Sequence, residues 1–407
     1  MASRTVGSRR RLLILLEATL GGTRKYVIDL LNGIDKNRFQ ITFVYATGRA
    51  DDAFRTELGE LRKKGEVDLI ELPMCRQIVP LTDLVCFLKL LRIIRKGKFE
   101  LVHCHSSKAG FLGRLATKLA APGTPTIYSP NAMALNISRL YKYLEKFASY
   151  FTDRIIAAAN SEKQEIVENR IIAPSKIVTI SLGVDIPLRE KSSRLRDELK
   201  LSPQTILVVS VARCTRQKDP LTFLKAGEIL MRQERDVHFA WLGNGELENE
   251  VKEFIQAHNL QDAASFIGNR RDTQELLSGA DIFALASLYE SFGYVTCEAM
   301  AWGIPVVATD VVGTQSVVIN EVTGFLVPPQ NADALADKIF CLAQDPALRS
   351  KMGENGKKRV LEAFSVRKMV TETEQLYVES LTNPSWVRAA ADRVLSASGQ
   401  LNFARKE

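Results

Sequence analysis

The chain has 407 residues and a net charge of +8, with 46% hydrophobic and 25% charged residues, which is ordinary for a globular protein. Because a single hydrophobic core stops growing at roughly 250–300 residues, this length predicts two domains. The six cysteines are scattered without any Cys-x-x-Cys pair, which disfavours a disulfide framework and a zinc site and predicts a reducing, cytoplasmic location.

The longest early apolar run covers only residues 12–16 and ends at Glu17. It is too short to cross a bilayer, and it lacks the length and the small-residue cleavage site of a signal peptide. We therefore expect neither a membrane-spanning segment nor a signal peptide.

The first 180 residues alternate apolar runs of strand length with longer segments of helical period. Such alternation is typical of βαβ units that build a parallel sheet covered by helices. The strands are predicted at residues 11–16, 40–45, 67–72, 101–103, 126–129 and 154–158. Helices are predicted at residues 23–34, 81–96 and 109–119, and from Ser161 onward.

The pattern breaks at residues 181–187, and residues 188–203 are charged and irregular, which predicts a linker. We expect a first domain over 1–187, a second domain over 204–364, and C-terminal helices over 365–407 that pack back towards the first domain. The second domain's strands are predicted at residues 205–211, 238–242, 264–267, 282–285, 305–308 and 324–327.

In open parallel sheets, ligands bind beyond the carboxyl ends of the strands. The loop after the first strand contains Gly21 and Gly22 before a predicted helix. Paired glycines there allow the backbone to approach a phosphate, although a simple tight turn also explains them. The loop does not read Gly-x-Gly-x-x-Gly, which disfavours a nicotinamide or flavin site.

Two cations, Arg213 and Lys218, follow the first predicted strand of the second domain. Placed at the edge of the sheet, they would stabilise a departing diphosphate as its bond breaks. The alternative is that they are ordinary exposed basic residues, but their position at a strand end favours the functional interpretation.

Two acids, Glu290 and Glu298, lie eight residues apart around the start of a predicted helix. Carboxylates accept hydrogen bonds from sugar hydroxyls, and the helix start favours a phosphate, so one ligand could extend along this helix. The alternative is a charge that complements the helix dipole and a surface glutamate.

The surrounding sequence reads Ser-Leu-Tyr-Glu-Ser-Phe-Gly-x4-Glu-Ala-Met-Ala-x-Gly-x-Pro-Val-Val-Ala-Thr-Asp from Ser287, and Thr-Gly-Phe-Leu-Val-Pro-Pro follows from Thr323. It resembles retaining glycosyltransferase family 4, as found in bacterial exopolysaccharide and lipopolysaccharide synthesis. The resemblance extends over nearly the whole chain and includes the Arg-x4-Lys pair and the first glycine loop. It implies an α/β protein of GT-B fold, with two Rossmann-like, doubly wound parallel-sheet domains facing across a cleft. It also implies that the domain over 1–187 binds the acceptor and that the domain over 204–364 binds the nucleotide sugar.

The resemblance also implies roles for single residues. Arg213 and Lys218 would bind the donor diphosphate, Glu298 the ribose hydroxyls and Glu290 the hydroxyls of the transferred sugar. Such enzymes need no metal ion, and we expect no cofactor beyond a UDP- or GDP-sugar donor. The remaining substrate-binding residues expected from the resemblance are Gly21, Gly22, His105, Asn131, Gly268, Asn269, Phe292, Gly293, Tyr294 and Val295.

One departure from the family pattern lies in the first domain. The family often has Pro-His-Gly where this chain reads Pro130-Asn131-Ala132. An imidazole that would contact the donor sugar is therefore replaced by an amide, which can hydrogen-bond but cannot shuttle a proton at neutral pH.

These features predict retaining transfer of a hexose from a nucleotide diphosphate sugar to a lipid-linked or polysaccharide acceptor, by front-face substitution, in cell-surface glycan synthesis. A nucleotide-sugar epimerase of similar two-domain fold is an alternative, as is a non-enzymatic protein that binds a partner at a membrane. An epimerase needs acid–base residues beside the donor sugar, and only His103 and His105 lie near a predicted strand end.

The positive charge is concentrated in residues 1–187, which carry a net +11, whereas the rest of the chain carries −3. A basic first half favours an anionic partner such as the inner face of a membrane. Residues 84–94 form an apolar and basic stretch that could lie on anionic lipid or could be the core face of a helix, and aromatic residues at 141–151 form a second candidate surface. Nucleic acid is not expected, because no recognition motif is present.

Overall fold

A computed structural model of the chain describes residues 9–131, 139–233 and 236–382. The chain divides into two compact units. The first unit comprises the residues up to Ser181 together with those from Val366 onward, and the second unit comprises residues 182–365. Of the expected C-terminal helices, the part beyond Thr382 lies outside the described residues.

The described residues form thirteen strands: β1 (Arg10–Leu16), β2 (Phe39–Tyr45), β3 (Val67–Glu71), β4 (Leu101–His105), β5 (Thr126–Ser129), β6 (Arg154–Ala157), β7 (Ile177–Thr179), β8 (Ile206–Val211), β9 (Val237–Leu242), β10 (Ala264–Gly268), β11 (Ile282–Leu285), β12 (Val306–Thr309) and β13 (Gly324–Val327).

The described helices are α1 (Gly21–Gly33), α2 (Asp52–Lys64), α3 (Pro80–Gly97), α4 (Ser107–Ala120), α5 (Arg139–Ser149), α6 (Asn160–Glu168), α7 (Arg194–Glu198), α8 (Pro220–Arg232), α9 (Glu248–Ala257), α10 (Thr273–Ser278), α11 (Tyr294–Ala301), α12 (Val312–Val317), α13 (Ala332–Gln344), α14 (Pro346–Ala363) and α15 (Val366–Thr382).

Each unit contains one parallel sheet, and the two sheets share a strand order. The first runs β3-β2-β1-β4-β5-β6-β7 and the second β10-β9-β8-β11-β12-β13. Both are the doubly wound arrangement, in which the order of strand addition reverses at the neighbouring parallel strands β1 and β4 in the first sheet and β8 and β11 in the second. The prediction of two doubly wound parallel sheets is confirmed.

Central strands are apolar along their whole length because helices cover both faces of a parallel sheet. In β1 the five residues from Leu12 to Leu16 are almost completely buried. In the second unit Trp241 of β9 is buried edge-on against Phe223 of α8, with ring centroids 5.6 Å apart. The rigid sheets that result hold the loops at their carboxyl ends in place.

Several element boundaries differ from the prediction. Strand β4 extends two residues further, through His105, and α1 begins at Gly21 rather than at residue 23. Residues 188–203, expected to form a linker, lie in the second unit and contain α7. Arg196 of α7 pairs with Asp281 at 2.6 Å, which fastens this segment to the start of β11.

Helix α15 belongs to the first unit although it is the last described element of the chain. The hydroxyl of Tyr377 lies 2.6 Å from Nδ1 of His103 in β4, and both side chains are buried. This contact joins residues 274 positions apart in sequence, and no local pattern in either segment predicts it.

Candidate active site

The loops that follow β8 and β11 meet at the point where the second sheet reverses its strand order. Lys218 comes from the first loop and Glu290 from the second, and the ammonium of Lys218 donates to Oε1 of Glu290. The two side chains are only 14% and 8% exposed. The structure thus brings together two of the three predicted catalytic residues.

A buried hydroxyl contacts the same oxygen of Glu290. Oγ of the buried Ser287 donates to Oε1 of Glu290 at 2.7 Å. The backbone of Ser287 is itself fixed, because the hydroxyl of Thr309 donates to its carbonyl oxygen at 2.5 Å. The orientation of Glu290 is therefore set by two side chains rather than by solvent.

Gln217 connects the two loops through their backbones. Its carbonyl accepts from the amide of Leu288 at 2.8 Å, and its side-chain amide donates to the carbonyl of Tyr289 at 3.0 Å. The guanidinium of the exposed Arg213 lies 3.4 Å from Oε1 of Gln217. Arg213 thus contacts the side chain of Gln217, and Lys218 follows Gln217 directly in the sequence.

The backbone turns sharply after Lys218. Asp219 has a φ of 46°, and its carboxylate caps α8 by accepting from the amide and hydroxyl of Thr222, at 3.2 and 2.7 Å. Pro220 then occupies the first turn of the helix, where a missing N–H costs nothing. Because Asp219 caps α8, the loop that carries Arg213 and Lys218 ends directly after Lys218.

Gly313 of α12 allows a close approach to the Glu290 loop. A Cβ added at this glycine would lie 2.6 Å from the carbonyl oxygen of Glu290 and 2.7 Å from its Cβ. Contacts this short occur essentially never for a real Cβ, so a larger residue would move the loop.

The N-terminus of α11 follows Glu290 directly. Gly293 is its N-cap with a φ of 82°, and Tyr294 and Val295 in the first turn are partly exposed. Glu298 lies further along the same helix and is partly exposed. Phe292, in contrast, is buried edge-on against Phe364, with ring centroids 5.5 Å apart. Its side chain therefore packs inside the second unit.

The residues expected beside the nucleotide base lie at the end of β10. Gly268 has a φ of 74°, and its carbonyl accepts from the amide of Gly243 at 2.8 Å. Asn269 follows it and is exposed. Both lie at the carboxyl edge of the second sheet.

Four predicted residues lie at the carboxyl edge of the first sheet. Gly21 and Gly22 are exposed in the first turn of α1, after β1. Asn131, after β5, has a φ of 54° and donates to the carbonyl of Ser129 at 3.2 Å. His105 ends β4 and is completely buried.

The two histidines of β4 lie side by side, with ring centroids 3.9 Å apart. His103 is hydrogen-bonded to Tyr377 and, at 2.8 Å, to Ser129. Burial lowers the pKa of His105 to about 3 and lowers that of His103 well below its ordinary value, so both rings are neutral at pH 7. Burial sets these pKa values, and neither histidine reaches the protein surface.

Among the described residues, no group of three or more His, Cys, Asp or Glu side chains is arranged to hold a metal ion. None of the described helices is both long and apolar enough to span a bilayer.

Ser287, Gln217 and Gly313 were not singled out by the sequence, although all three shape the Glu290 loop. Ser287 stands inside the motif that contains Glu290, so its position three residues earlier was an available signal. Gly313 matters because its lack of a Cβ allows α12 to approach the backbone of Glu290. No motif in the sequence indicates this contact.

Two family models together match most of the chain. Residues 20–187 match the model for Glycosyltransferase Family 4, and residues 191–359 match the model for Glycosyl transferases group 1. The two ranges correspond closely to the two sheets.

Curated relatives and solved structures agree with these models. The chain is 30% identical to the UDP-Gal:alpha-D-GlcNAc-diphosphoundecaprenol alpha-1,3-galactosyltransferase of Escherichia coli, over 76% of this chain and 83% of that one. It is 26% identical to the capsular polysaccharide biosynthesis glycosyltransferase CapM of Staphylococcus aureus, over 86% and 96%. A glycosyltransferase from Rickettsia africae superposes with a TM-score of 0.78 at 25% identity, covering 92% of this chain and all of that one.

The fold, the Lys218–Glu290 pair and these similarities define the class of protein: a two-unit, parallel-sheet glycosyltransferase of GT-B type. The chain belongs to glycosyltransferase family 4.

Proposed function

We propose that this glycosyltransferase moves a hexose from a UDP-sugar to a sugar carried on a lipid diphosphate, with retention of anomeric configuration, during synthesis of a bacterial surface polysaccharide. The observation that carries the proposal is the contact between Lys218 and Glu290 at the carboxyl edge of the second sheet. A cation and a carboxylate held together in this way suit a ligand that presents phosphate and hydroxyl groups side by side.

Both side chains keep hydrogen-bonding capacity for such a donor. The ammonium of Lys218 has three N–H donors, and Glu290 takes one of them. The carboxylate of Glu290 has about four lone-pair positions, of which Lys218 and Ser287 use two on Oε1. Lys218 can therefore bind a phosphate oxygen while Glu290 accepts from the hydroxyls of the transferred sugar.

The chemical step would develop negative charge on the departing diphosphate and positive charge on the sugar. Lys218, Arg213 and the N-terminus of α11 supply positive charge on the diphosphate side. Glu290 supplies negative charge beside the sugar. The acceptor hydroxyl would attack the face that the diphosphate leaves, which accounts for retention without a covalent intermediate.

The nature of donor and acceptor is proposed from the relatives. The name of the Escherichia coli relative specifies UDP-Gal as donor and a sugar on diphosphoundecaprenol as acceptor, and CapM is named for capsular polysaccharide synthesis. We extend these classes to this chain, with the identity of the hexose left to measurement.

A lipid-linked acceptor places the enzyme at a membrane, and the first unit has a surface suited to one. Helix α3 buries one stripe, formed by Cys86, Leu90 and Ile94. Its other side and the preceding loop expose large apolar residues, with Leu81 79% exposed. The exposed apolar residues of this segment are Ile78, Val79, Leu81, Leu84, Val85 and Leu88.

Helix α5 extends this apolar surface. Its exposed residues include Tyr143 and Phe147. The ring centroids of Phe147 and Phe111 of α4 are 6.5 Å apart. Helix α4 in turn packs beside α3. Basic residues on α3 and α5 complement an anionic lipid surface. We propose that this α3–α5 surface contacts the cytoplasmic face of the membrane. Helix α3 therefore has both a buried apolar stripe and an exposed apolar side.

The proposed activity is tested by incubating the full chain with UDP- and GDP-sugars and a polyprenyl diphosphate-linked sugar. Release of nucleoside diphosphate together with a glycosylated lipid, whose new linkage has the donor's anomeric configuration by NMR, is expected with a UDP-hexose. The rate should stay within twofold when EDTA is added. An epimerised donor without transfer, an inverted linkage, or a rate that EDTA abolishes and Mg²⁺ restores would contradict the corresponding part of the proposal.

A further inference from the structure

Four charged side chains form a closed ring of ion pairs beside the end of β10. Nη1 of Arg270 lies 2.9 Å from Oε2 of Glu198 in α7, and its Nη2 lies 2.7 Å from Oδ2 of Asp272. Arg194 of α7 closes the ring, with its Nη1 3.0 Å from Oδ2 of Asp272 and its Nε 3.0 Å from Oε1 of Glu198. Each charge therefore has two neighbours of the opposite sign. We call these four residues the Arg270 ring.

The guanidinium of Arg270 is held by both carboxylates at once. Its Nε and Nη2 donate to Asp272 at 2.9 and 2.7 Å, and its Nη1 and Nη2 donate to Glu198 at 2.9 and 3.1 Å. Paired hydrogen bonds of this kind fix orientation more strictly than an isolated surface ion pair does. Hydrogen bonds from Arg270 also lower the pKa of Asp272 to about 2 and lower that of Glu198, so both carboxylates are ionised at pH 7.

The loop between β10 and α10, residues 269–272, leaves the sheet irregularly. The register of β10 against β9 shifts between Phe266 and Gly268, and Gly268 has a φ of 74°. Asp272 is the N-cap of α10, a position at which an aspartate usually accepts a hydrogen bond from the first turn, but its side chain makes no such bond. Asp272 therefore gives its carboxylate to the ring instead of to its own helix.

Helix α7 is itself held firmly within the second unit. Leu195 is completely buried, and Arg196 pairs with Asp281 at the start of β11 at 2.6 Å. Arg270 consequently connects the β10–α10 loop to a segment that cannot shift easily. The ring thus replaces the regular strand contacts that end at Gly268.

Main-chain contacts extend from this loop to the loop that carries Arg213 and Lys218. The amide of Gly243 donates to the carbonyl of Gly268 at 2.8 Å. A Cβ added at Gly243 would lie only 2.1 Å from the carbonyl oxygen of Ala212, which directly precedes Arg213. The loops after β8, β9 and β10 are therefore in backbone contact, and a displacement of one is passed to the next.

We propose that the Arg270 ring positions the donor site. By fastening the β10–α10 loop to α7, it holds the loops after β8, β9 and β10 in the arrangement that binds the nucleoside diphosphate. This inference rests on the proposed function for its ligand. Arg270 is a positioning residue, because its guanidinium is already taken by two carboxylates, and it sets the affinity for the nucleotide without entering the bond-breaking step.

Calorimetric titration of the full chain with UDP tests this role. Arg270→Ala should weaken UDP binding at least fivefold. Arg270→Lys should restore little of it, because one ammonium cannot form paired hydrogen bonds to two carboxylates. The control is Arg232→Ala, which removes the cation of an exposed ion pair within α8 and should leave the affinity unchanged. All chains are compared below their unfolding temperatures.

Kinetics and a double variant separate positioning from catalysis. Arg270→Ala should raise KM for the nucleotide sugar at least fivefold and leave kcat and the KM for the acceptor within twofold. Glu198→Gln should act in the same direction. Because Glu198 acts through Arg270, the double variant should bind UDP no more than twofold more weakly than Arg270→Ala alone.

The inference and the proposed function fail separately. Equal UDP affinity of the Arg270→Ala and Arg232→Ala chains, a fall in kcat as large as the rise in KM, or fully additive losses in the double variant would overturn the role of the ring, even if the unaltered chain transfers sugar. An unaltered chain that binds UDP but transfers no sugar contradicts the proposed function, while the UDP affinities of the variants still decide the role of the ring. Absence of UDP binding by the unaltered chain overturns both.

Discussion

Glu290 receives hydrogen bonds from two residues that differ in how readily the sequence reveals them. Lys218 belongs to an Arg-x4-Lys pair at the end of a predicted strand, and its pairing with Glu290 follows from two loops that meet at the reversal of the sheet. Nothing in the sequence by itself assigns a role to Ser287, whose hydroxyl lies 2.7 Å from Oε1 of Glu290. The sequence therefore predicts the charged members of the site better than the neutral ones that orient them.

The structure buries the side chains of two residues that the resemblance assigned to substrate binding. Phe292 was expected to bind substrate, yet its side chain packs in the core against Phe364. His105 is the last residue of β4, as expected for a strand end, but its side chain is fully buried. Motif position locates a residue along the chain, but the direction of its side chain depends on the packing of distant elements.

Replacing Gly313 by alanine should damage the donor site without a large loss of stability. The new Cβ would meet the backbone of Glu290 at 2.6 Å, and the loop must move because backbone atoms cannot rotate away. Since displacements of about 1 Å can cost roughly 100-fold in rate, we expect kcat/KM to fall by about tenfold or more. Steady-state kinetics with a saturating acceptor measure this effect.

Gly59→Ala is the matched control for Gly313→Ala. Gly59 lies in α2, and a Cβ there would meet nothing within 4 Å. Its replacement should leave turnover unchanged. Equal turnover of the Gly313→Ala chain and the control would show that the Glu290 loop tolerates the displacement, against the role given to Gly313.

Helix α3 has apolar residues both in the core and on the surface of the first unit. The apolar residues of the stretch repeat too densely for one helix face, and the structure divides them between a buried stripe and an exposed side. Periodicity predicted the helix but could not tell which apolar residues would be covered, because that depends on α4 and on the sheet beneath.

Exposed leucines of α3 are expected to hold the chain on anionic vesicles. Replacing Leu81 and Leu88 by serine removes two side chains that are each worth roughly 1.5 kcal/mol or more when fully transferred from water. Flotation of the full chain with vesicles that contain anionic phospholipid should therefore show at least a threefold smaller bound fraction for this double variant.

Leu361→Ser serves as the control for flotation, since Leu361 is 49% exposed but belongs to α14 in the second unit. It should float as well as the unaltered chain. If the unaltered chain does not float, or if the double variant floats equally well, the α3–α5 surface does not bind membrane.

At the scale of the whole molecule, the sequence predicted two parallel sheets because each strand is an apolar run bounded by helical periods. The C-terminal helices were expected to pack back towards the first domain, and α15 packs on α1 and β4, although about 180 residues of the second unit separate it from the rest of its unit. The sequence did not show which elements α15 would contact. Strand β7, with only three residues, is also too short for its apolar pattern to be recognised. Local pattern thus predicts elements, and long-range packing decides which unit an element joins.

The distribution of charge along the chain agrees with the proposal that the second unit binds the donor and the first unit binds a lipid-linked acceptor. Lys218 and Glu290, which we propose bind the donor, lie in the second unit, whereas the α3–α5 surface lies in the first. Residues 1–187 also carry the excess of positive charge. A lipid-linked diphosphate acceptor would account for the placement of that charge.

The central claim is that Lys218 and Glu290 hold the donor during transfer. The most direct measurement is turnover of the nucleotide sugar by full chains with Lys218→Ala or Glu290→Gln, beside Lys225→Ala and Glu253→Gln, which alter exposed residues of α8 and α9. We expect kcat/KM to fall by about 100-fold or more in the first pair, as when a group that stabilises transition-state charge is removed, and to stay unchanged in the second. Near-normal turnover by either Lys218→Ala or Glu290→Gln, in chains that unfold at the same temperature as the unaltered protein, would contradict the claim.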